Sequence, residues 1–159
     1  MKLSILITLL NEELVLAQTH KAISEKLESM ILSEELSDYE ILYVDDGSSD
    51  STLELIDAIA NENPRVKYIS FSRNFGRESG ILAGFKYATG DAVMVMDGDL
   101  QHPPYLIPLF VEAYKEGYDI VSGQRTREGE SFVGSFFARS FYKFSNHSMD
   151  VKLTDGKSE

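Results

Sequence analysis

The 159-residue sequence contains no cysteine. That excludes disulfides and thiolate metal sites, and it favours the reducing side of a membrane. No apolar run approaches the roughly 18 residues needed to span a bilayer. The opening MKLSILITLL has the lysine and short apolar stretch of a signal peptide. It runs into NEE with no small-residue cleavage site, so it reads as a first buried strand. Positive charge is scarce: 15 Lys and Arg against 26 Asp and Glu leave a net charge of −11. That balance argues against nonspecific binding to nucleic acid. The shortage is uneven, because residues 121–159 hold 6 of the basic residues and only 5 of the acids. The last quarter is therefore a different electrostatic surface, and it is rich in phenylalanine. Histidine is sparse too. His20 and His147 carry no chemical signal, and His102, with no second histidine near it, reads as a loop residue rather than a metal ligand.

What remains is a composition of 43% hydrophobic and 26% charged residues, that of one soluble globular domain with a sizeable core. Strand and helix signals alternate along it. Strands are expected at 3–10, 39–46, 66–71, 91–97 and 118–125, the first a nearly continuous apolar run suited to a parallel strand covered on both faces. Asn11 is expected to cap the first helix, with Glu12 and Glu13 in its opening turn. Asp50 or Ser51 caps the second, with Pro64 beyond its end. The stretch GRESGILAGFKYATG predicts a helix closed by Gly90, and PPYLIPLFVEAYKEG one started by prolines and stopped by Gly117. This alternation predicts an α/β fold of three layers with a mostly parallel central sheet. In such sheets the ligand sits outside the carboxyl ends of the strands. Polar groups do collect there: Thr8 to Glu12, Asp45-Asp46, Arg73 to Arg77, Asp97 to Gln101, and Gln124-Arg125.

Asp97 and Asp99 are two residues apart, so in extended backbone both side chains leave on one side. Gly98 between them permits close approach of a ligand. Two such charges repel unless a cation or a shared proton relieves them. Oxygen-only ligation suits magnesium or manganese, which keep waters and bind substrate phosphates. A solvated acidic turn is the alternative for the triplet. Asp45-Asp46-Gly47-Ser48 has the same two readings, a tight turn before a helix or an acceptor for a nucleotide base or ribose.

Together, LITLLNEE, YVDDGSSDST, FSRNFGRESGILAGFKYATGD, VMDGDLQHPP and IVSGQRTRE resemble the successive motifs of family 2 glycosyltransferases. The resemblance is nearest to the branch that transfers sugars to polyprenyl phosphate, and it covers essentially the whole chain. It implies a GT-A, Rossmann-like nucleotide-sugar-binding core over 1–125 and an acceptor-side helical segment over 126–159. It also implies roles. Asp97, Asp99 and Gln101 match the Asp-x-Asp-x-Gln motif that holds Mg2+ or Mn2+ and the donor diphosphate. Asp45 matches the nucleotide-contacting position, with Asp46 beside it, and Thr8 and Glu12 match the loop enclosing base and ribose. Arg73, Asn74 and Gly76 match a loop near the diphosphate, and Arg125 an arginine that meets phosphate. Arg77 is a weaker phosphate candidate and Arg127 a solvated one. The family's usual Pro-x-Tyr/Phe-Asn-Glu is here Thr8-Leu9-Leu10-Asn11-Glu12, without the proline and the aromatic.

In SFVGSFFARSFYKFSN, residues 131–146, Val133, Phe137 and Phe141 recur every four residues and Phe144 continues the stripe. Such a helix either caps the sheet or lies on an anionic membrane surface, and the resembled branch implies the membrane. Glu159 or Asp155 falls at the family's acidic position associated with catalysis. The implied activity is metal-dependent, inverting transfer from a nucleoside-diphosphate sugar, with a UDP-sugar first and GDP-mannose second, to polyprenyl phosphate. The implied place is the cytoplasmic face of the membrane, with homo-oligomerisation left open. The chain then reads as an N-terminal catalytic domain or a truncated enzyme. Its rivals are a family 2 transferase with a soluble or glycan acceptor and a nucleotide-sugar-binding module without turnover.

Overall fold

Four apolar runs pair side by side in the computed structural model, which describes residues 1–98 and 103–123. They are β1 (Lys2–Leu9), β2 (Asp38–Asp45), β3 (Val66–Ser70) and β4 (Ala92–Asp97). All are parallel, in the order β3-β2-β1-β4. The helices between them are α1 (Leu16–Leu32), α2 (Thr52–Glu62) and α3 (Arg77–Tyr87). After β4 comes a 3-10 turn, Pro104–Leu106, leading into α4 (Ile107–Lys115). Met1–Tyr118 forms one compact unit; of the remainder, residues 119–123 are described and contain no helix or strand.

Alternation along each strand divides the core into two layers. Leu3, Ile5, Ile7 and Leu9 of β1 pack with Tyr39, Ile41 and Tyr43 of β2 and Met94 and Met96 of β4. Leu16, Ile23, Leu27 and Met30 of α1, Ile56 of α2, and Ile107 and Val111 of α4 cover that face. Leu6, Leu42 and Val44 point the other way, toward Ile81 of α3. Helix α3 lies unusually close to β1 because it presents glycine there. A Cβ on Gly84 would run into the Leu6 side chain, and one on Gly80 would stand 2.8 Å from Thr8 Cγ2.

Away from the strands' carboxyl ends, one charge is buried in the sheet. Glu40 accepts from Ser4 Oγ (2.7 Å), Thr89 N–H (2.6 Å), Thr89 Oγ1 (2.9 Å) and Lys67 Nζ (2.9 Å). Burial opposes its ionisation, but these donors outweigh it and hold its pKa down to about 2 from 4.5.

Three expectations fail. Helix α1 starts at Leu16 rather than just after Asn11. Asn11 sits at φ +57 and turns its amide to the next loop, its Oδ1 accepting from Ser49 N–H at 2.8 Å. Glu12 N–H donates to Thr52 Oγ1 and Glu13 N–H to Asp50, so this segment braces the β2–α2 loop instead of capping. Residues 118–123, expected to open a fifth strand, form none. Tyr118 and Ile120 are exposed, so the apolar residues of this stretch bury no face that would favour a strand. Helix α3 also ends at Tyr87, short of Gly90, whose N–H donates to Ser4 Oγ.

Candidate functional site

The order β3-β2-β1-β4 reverses direction between β1 and β4. Strands β2 and β3 are laid down to one side of β1 and β4 to the other, so the connections above their carboxyl ends diverge and leave a crevice. Thr8 and Asp97 are register partners across that junction. A cavity of about 290 Å³ opens there, lined by Thr8, Leu9, Leu10, Glu12, Asp46, Asn74, Gly76, Arg77, Asp97 and Gly98. Three strand ends and the start of α3 thus converge on one space.

The adjacent aspartates at the end of β2 take different tasks. Asp45 is buried and accepts from Ser48 N–H (3.1 Å) and Ser70 Oγ (3.1 Å), tying the turn after β2 to the end of β3. It does not line the cavity. Asp46 does, and both of its oxygens are engaged: Oδ1 accepts from Phe75 N–H at 2.7 Å and Oδ2 from Gly76 N–H at 3.0 Å. Gly76 has φ +94, which a side chain would strain, and it leads directly into α3. Asp46 therefore holds the 73–76 loop over the cavity. Arg73 stands outside the lining, with its guanidinium 4.7 Å above the Phe75 ring.

Asp97 closes β4 and is about three-quarters buried at its side chain. Arg77, in the first turn of α3, donates to its Oδ1 at 2.9 Å. Sequence reasoning ranked Arg77 below Arg73, yet among the described residues Arg77 is the arginine that reaches the cavity. Gly98 follows in contact with Leu9: a Cβ there would collide with the Leu9 side chain. Its carbonyl accepts from Thr19 Oγ1 of α1 at 2.8 Å. Neither Leu9 nor Thr19 was signalled as part of a site. Asp99, Gln101, His102, Arg125 and Glu159, and with them all of 126–159 including the 131–146 stretch, lie outside the described residues.

A divalent cation that keeps its waters and takes phosphate oxygens needs only one or two protein carboxylates. Asp97 offers one, at the cavity wall and beside a hydroxyl-bearing strand partner, so the donor chemistry fits Mg2+ or Mn2+. Among the described residues no group of three His, Cys, Asp or Glu gathers that could hold a metal by itself. Among the same residues no helix is long and apolar enough to cross a membrane.

A parallel α/β domain with a polar crevice at its switch point is the fold of GT-A glycosyltransferases. Residues 4–156 match the signature of glycosyl transferase family 2, and the chain belongs to that family. It is 47% identical over 154 residues to CsbB of Bacillus subtilis (strain 168), itself named only provisionally as a glycosyltransferase; the match covers 97% of this chain and 45% of that protein. It is 36% identical over 158 residues to the prophage bactoprenol glucosyl transferase homolog of Escherichia coli (strain K12), covering 98% of this chain and 49% of that one. The solved structure of the mannosyltransferase PcManGT from Pyrobaculum calidifontis, in complex with GDP-Man and Mn2+, aligns with a TM-score of 0.59 at 17% identity. That alignment covers 79% of this chain and 36% of PcManGT and is a likeness of fold alone. The chain spans about half the length of the curated relatives it matches.

Proposed function

We propose that this chain is the donor-binding, catalytic part of a metal-dependent, inverting glycosyltransferase that moves a sugar from a nucleoside diphosphate to polyprenyl phosphate. The observation that carries the reading is the position of Asp97: it closes β4, is in register with Thr8, and faces the switch-point cavity. Relatives named as bactoprenol glucosyl transferases support the lipid-linked acceptor and a glucosyl donor; our reading puts a UDP-sugar first and GDP-mannose second.

In this reading Thr8 and Glu12 enclose the nucleoside, and Asn74 and Gly76 lie along the diphosphate. Arg73 supports their loop, and Asp45 and Asp46 act mainly by fixing the loops they bond. Asp97 and Asp99, with Gln101, hold Mg2+ or Mn2+ and the donor diphosphate. The cation, when bound, neutralises negative charge on the leaving diphosphate. An acceptor phosphate oxygen attacks the anomeric carbon as the bond to the diphosphate breaks on the opposite face, which inverts the centre. Because that acceptor is already an anion, it needs little proton abstraction, and its placement by Arg125 matters more than a base at Glu159. Residues 131–146 would rest on the cytoplasmic face of the membrane, where the acceptor resides, and a homo-oligomer is compatible with this arrangement.

The test pairs calorimetry with UDP and GDP, with and without Mn2+, with transfer from labelled UDP-glucose to undecaprenyl phosphate in detergent. Mn2+-dependent UDP binding with transfer to the lipid is expected. UDP binding without any transfer would make the chain a binding module. Equal transfer to a water-soluble glycan would overturn the lipid acceptor.

A further inference from the structure

Helix α1 makes a polar contact with the proposed metal turn that no part of the donor site requires. Its buried stripe is Leu16, Thr19, Ile23, Leu27 and Met30, and Thr19 is the one polar member. Thr19 is fully buried, and its hydroxyl donates to the Gly98 carbonyl at 2.8 Å across 79 residues of sequence. A threonine inside a helix ordinarily bonds the carbonyl one turn back, so a hydroxyl spent on a distant turn is a specific tertiary link. Holding that carbonyl fixes the orientation of Gly98, the residue bonded directly to Asp97. On the other side Leu9 sits so close to Gly98 that a Cβ would collide with it. The turn is therefore clamped between a hydrogen bond from α1 and a close contact from β1.

We propose that Thr19 is a positioning residue for the cation-binding turn, setting the direction of Asp97 by holding Gly98 in place, without touching metal or nucleotide. This rests on the reading of Asp97 given above. The alternative is that Thr19 merely satisfies a buried carbonyl, in which case its loss lowers stability and nothing else. A misdirected carboxylate instead weakens the cation specifically, because octahedral ions tolerate little angular error.

The experiment compares Thr19→Val, which keeps the shape and loses the donor, with Thr19→Ser, which keeps the donor. UDP binding is titrated at increasing Mn2+, alongside UDP binding in EDTA, thermal unfolding, and hydrogen exchange of the Met96–Gly98 amides. Thr19→Val should raise the Mn2+ concentration for half-maximal UDP binding about tenfold, the size of one lost hydrogen bond. Binding in EDTA should stay within about twofold, exchange at 96–98 should quicken, and Thr19→Ser should restore both. Unchanged exchange, or quickened exchange with an unchanged Mn2+ requirement, overturns the proposal. So does a Thr19→Val chain that melts lower but keeps the wild-type Mn2+ requirement. If wild-type UDP binding ignores Mn2+ altogether, the metal reading of Asp97 has failed, and the role proposed for Thr19 falls with it. Quickened exchange in Thr19→Val would then still show that the clamp exists, so the two failures remain distinct.

Discussion

Arg77 donates to the carboxylate of Asp97 at 2.9 Å, from the first turn of α3 to the last residue of β4. A side-chain cation thus occupies one oxygen of the acid proposed to bind a metal. The pair is partly exposed, at 46% and 23%, so the attraction is screened and small. It can be displaced by a divalent ion. Once displaced, the guanidinium remains on the cavity wall, where a diphosphate would meet it.

We predict that Arg77→Gln separates these roles. Losing the competing cation should let Mn2+ bind Asp97 about two- to fivefold more tightly. Losing the phosphate partner should weaken UDP at saturating Mn2+ by about tenfold. Calorimetric titration of each ligand measures both. If both constants stay at wild-type values, Arg77 plays no part in the site.

A second prediction concerns acid stability. Glu40 is buried and ionised, with its pKa lowered from 4.5 to about 2; burial alone would raise it, but the donors from Ser4, Thr89 and Lys67 prevail. An acid depressed by folding contributes its full stabilisation above the unfolded value and loses it as pH falls through the folded one. The contribution, about 3 kcal/mol, should therefore disappear between about pH 4.5 and pH 2. Urea unfolding across that range should show the decline, and Glu40→Gln should flatten it while costing about 3 kcal/mol at pH 7. An equally steep decline in the variant would assign the effect to other groups.

The seat of α3 gives a third. Gly84 lets the helix lie against Leu6, so Gly84→Ala forces the two apart and should destabilise the chain by about 2 kcal/mol. Trimming the obstacle with Leu6→Val should recover part of that loss in the double variant. Additive losses in urea denaturation would mean that the contact is not what excludes the methyl.

How far these features were legible in the sequence depends on which physical signal each one leaves. The runs that became β1 and β2 announced themselves because strands buried on both faces need near-continuous hydrophobicity. Strand β3, at the sheet edge, is mostly exposed and left a weaker signal. The polar strand ends followed from the same pattern, which is why Thr8, Glu12, Asp46, Asn74, Gly76 and Asp97 do share one cavity. Asp45 and Asp46 look alike in sequence, and only the direction of each side chain separates a turn brace from a loop holder. Asn11 was read as a helix cap because asparagine suits both a cap and a left-handed bend, and the loop it bonds lies 38 residues away. Thr19 left one faint trace, a lone hydroxyl in an apolar helical stripe. Residues 118–123 carry strand-forming Tyr, Ile and Val, but pairing is a tertiary property that such residues cannot supply by themselves.

The central claim is that the crevice between β1 and β4 binds a nucleoside diphosphate through a cation on Asp97. It is tested most directly by calorimetry of UDP with wild type and Asp97→Asn, each in Mn2+ and in EDTA. The account predicts that Mn2+ tightens UDP binding to wild type by at least about tenfold and has no such effect on Asp97→Asn. Equal enhancement by Mn2+ in both proteins would contradict it.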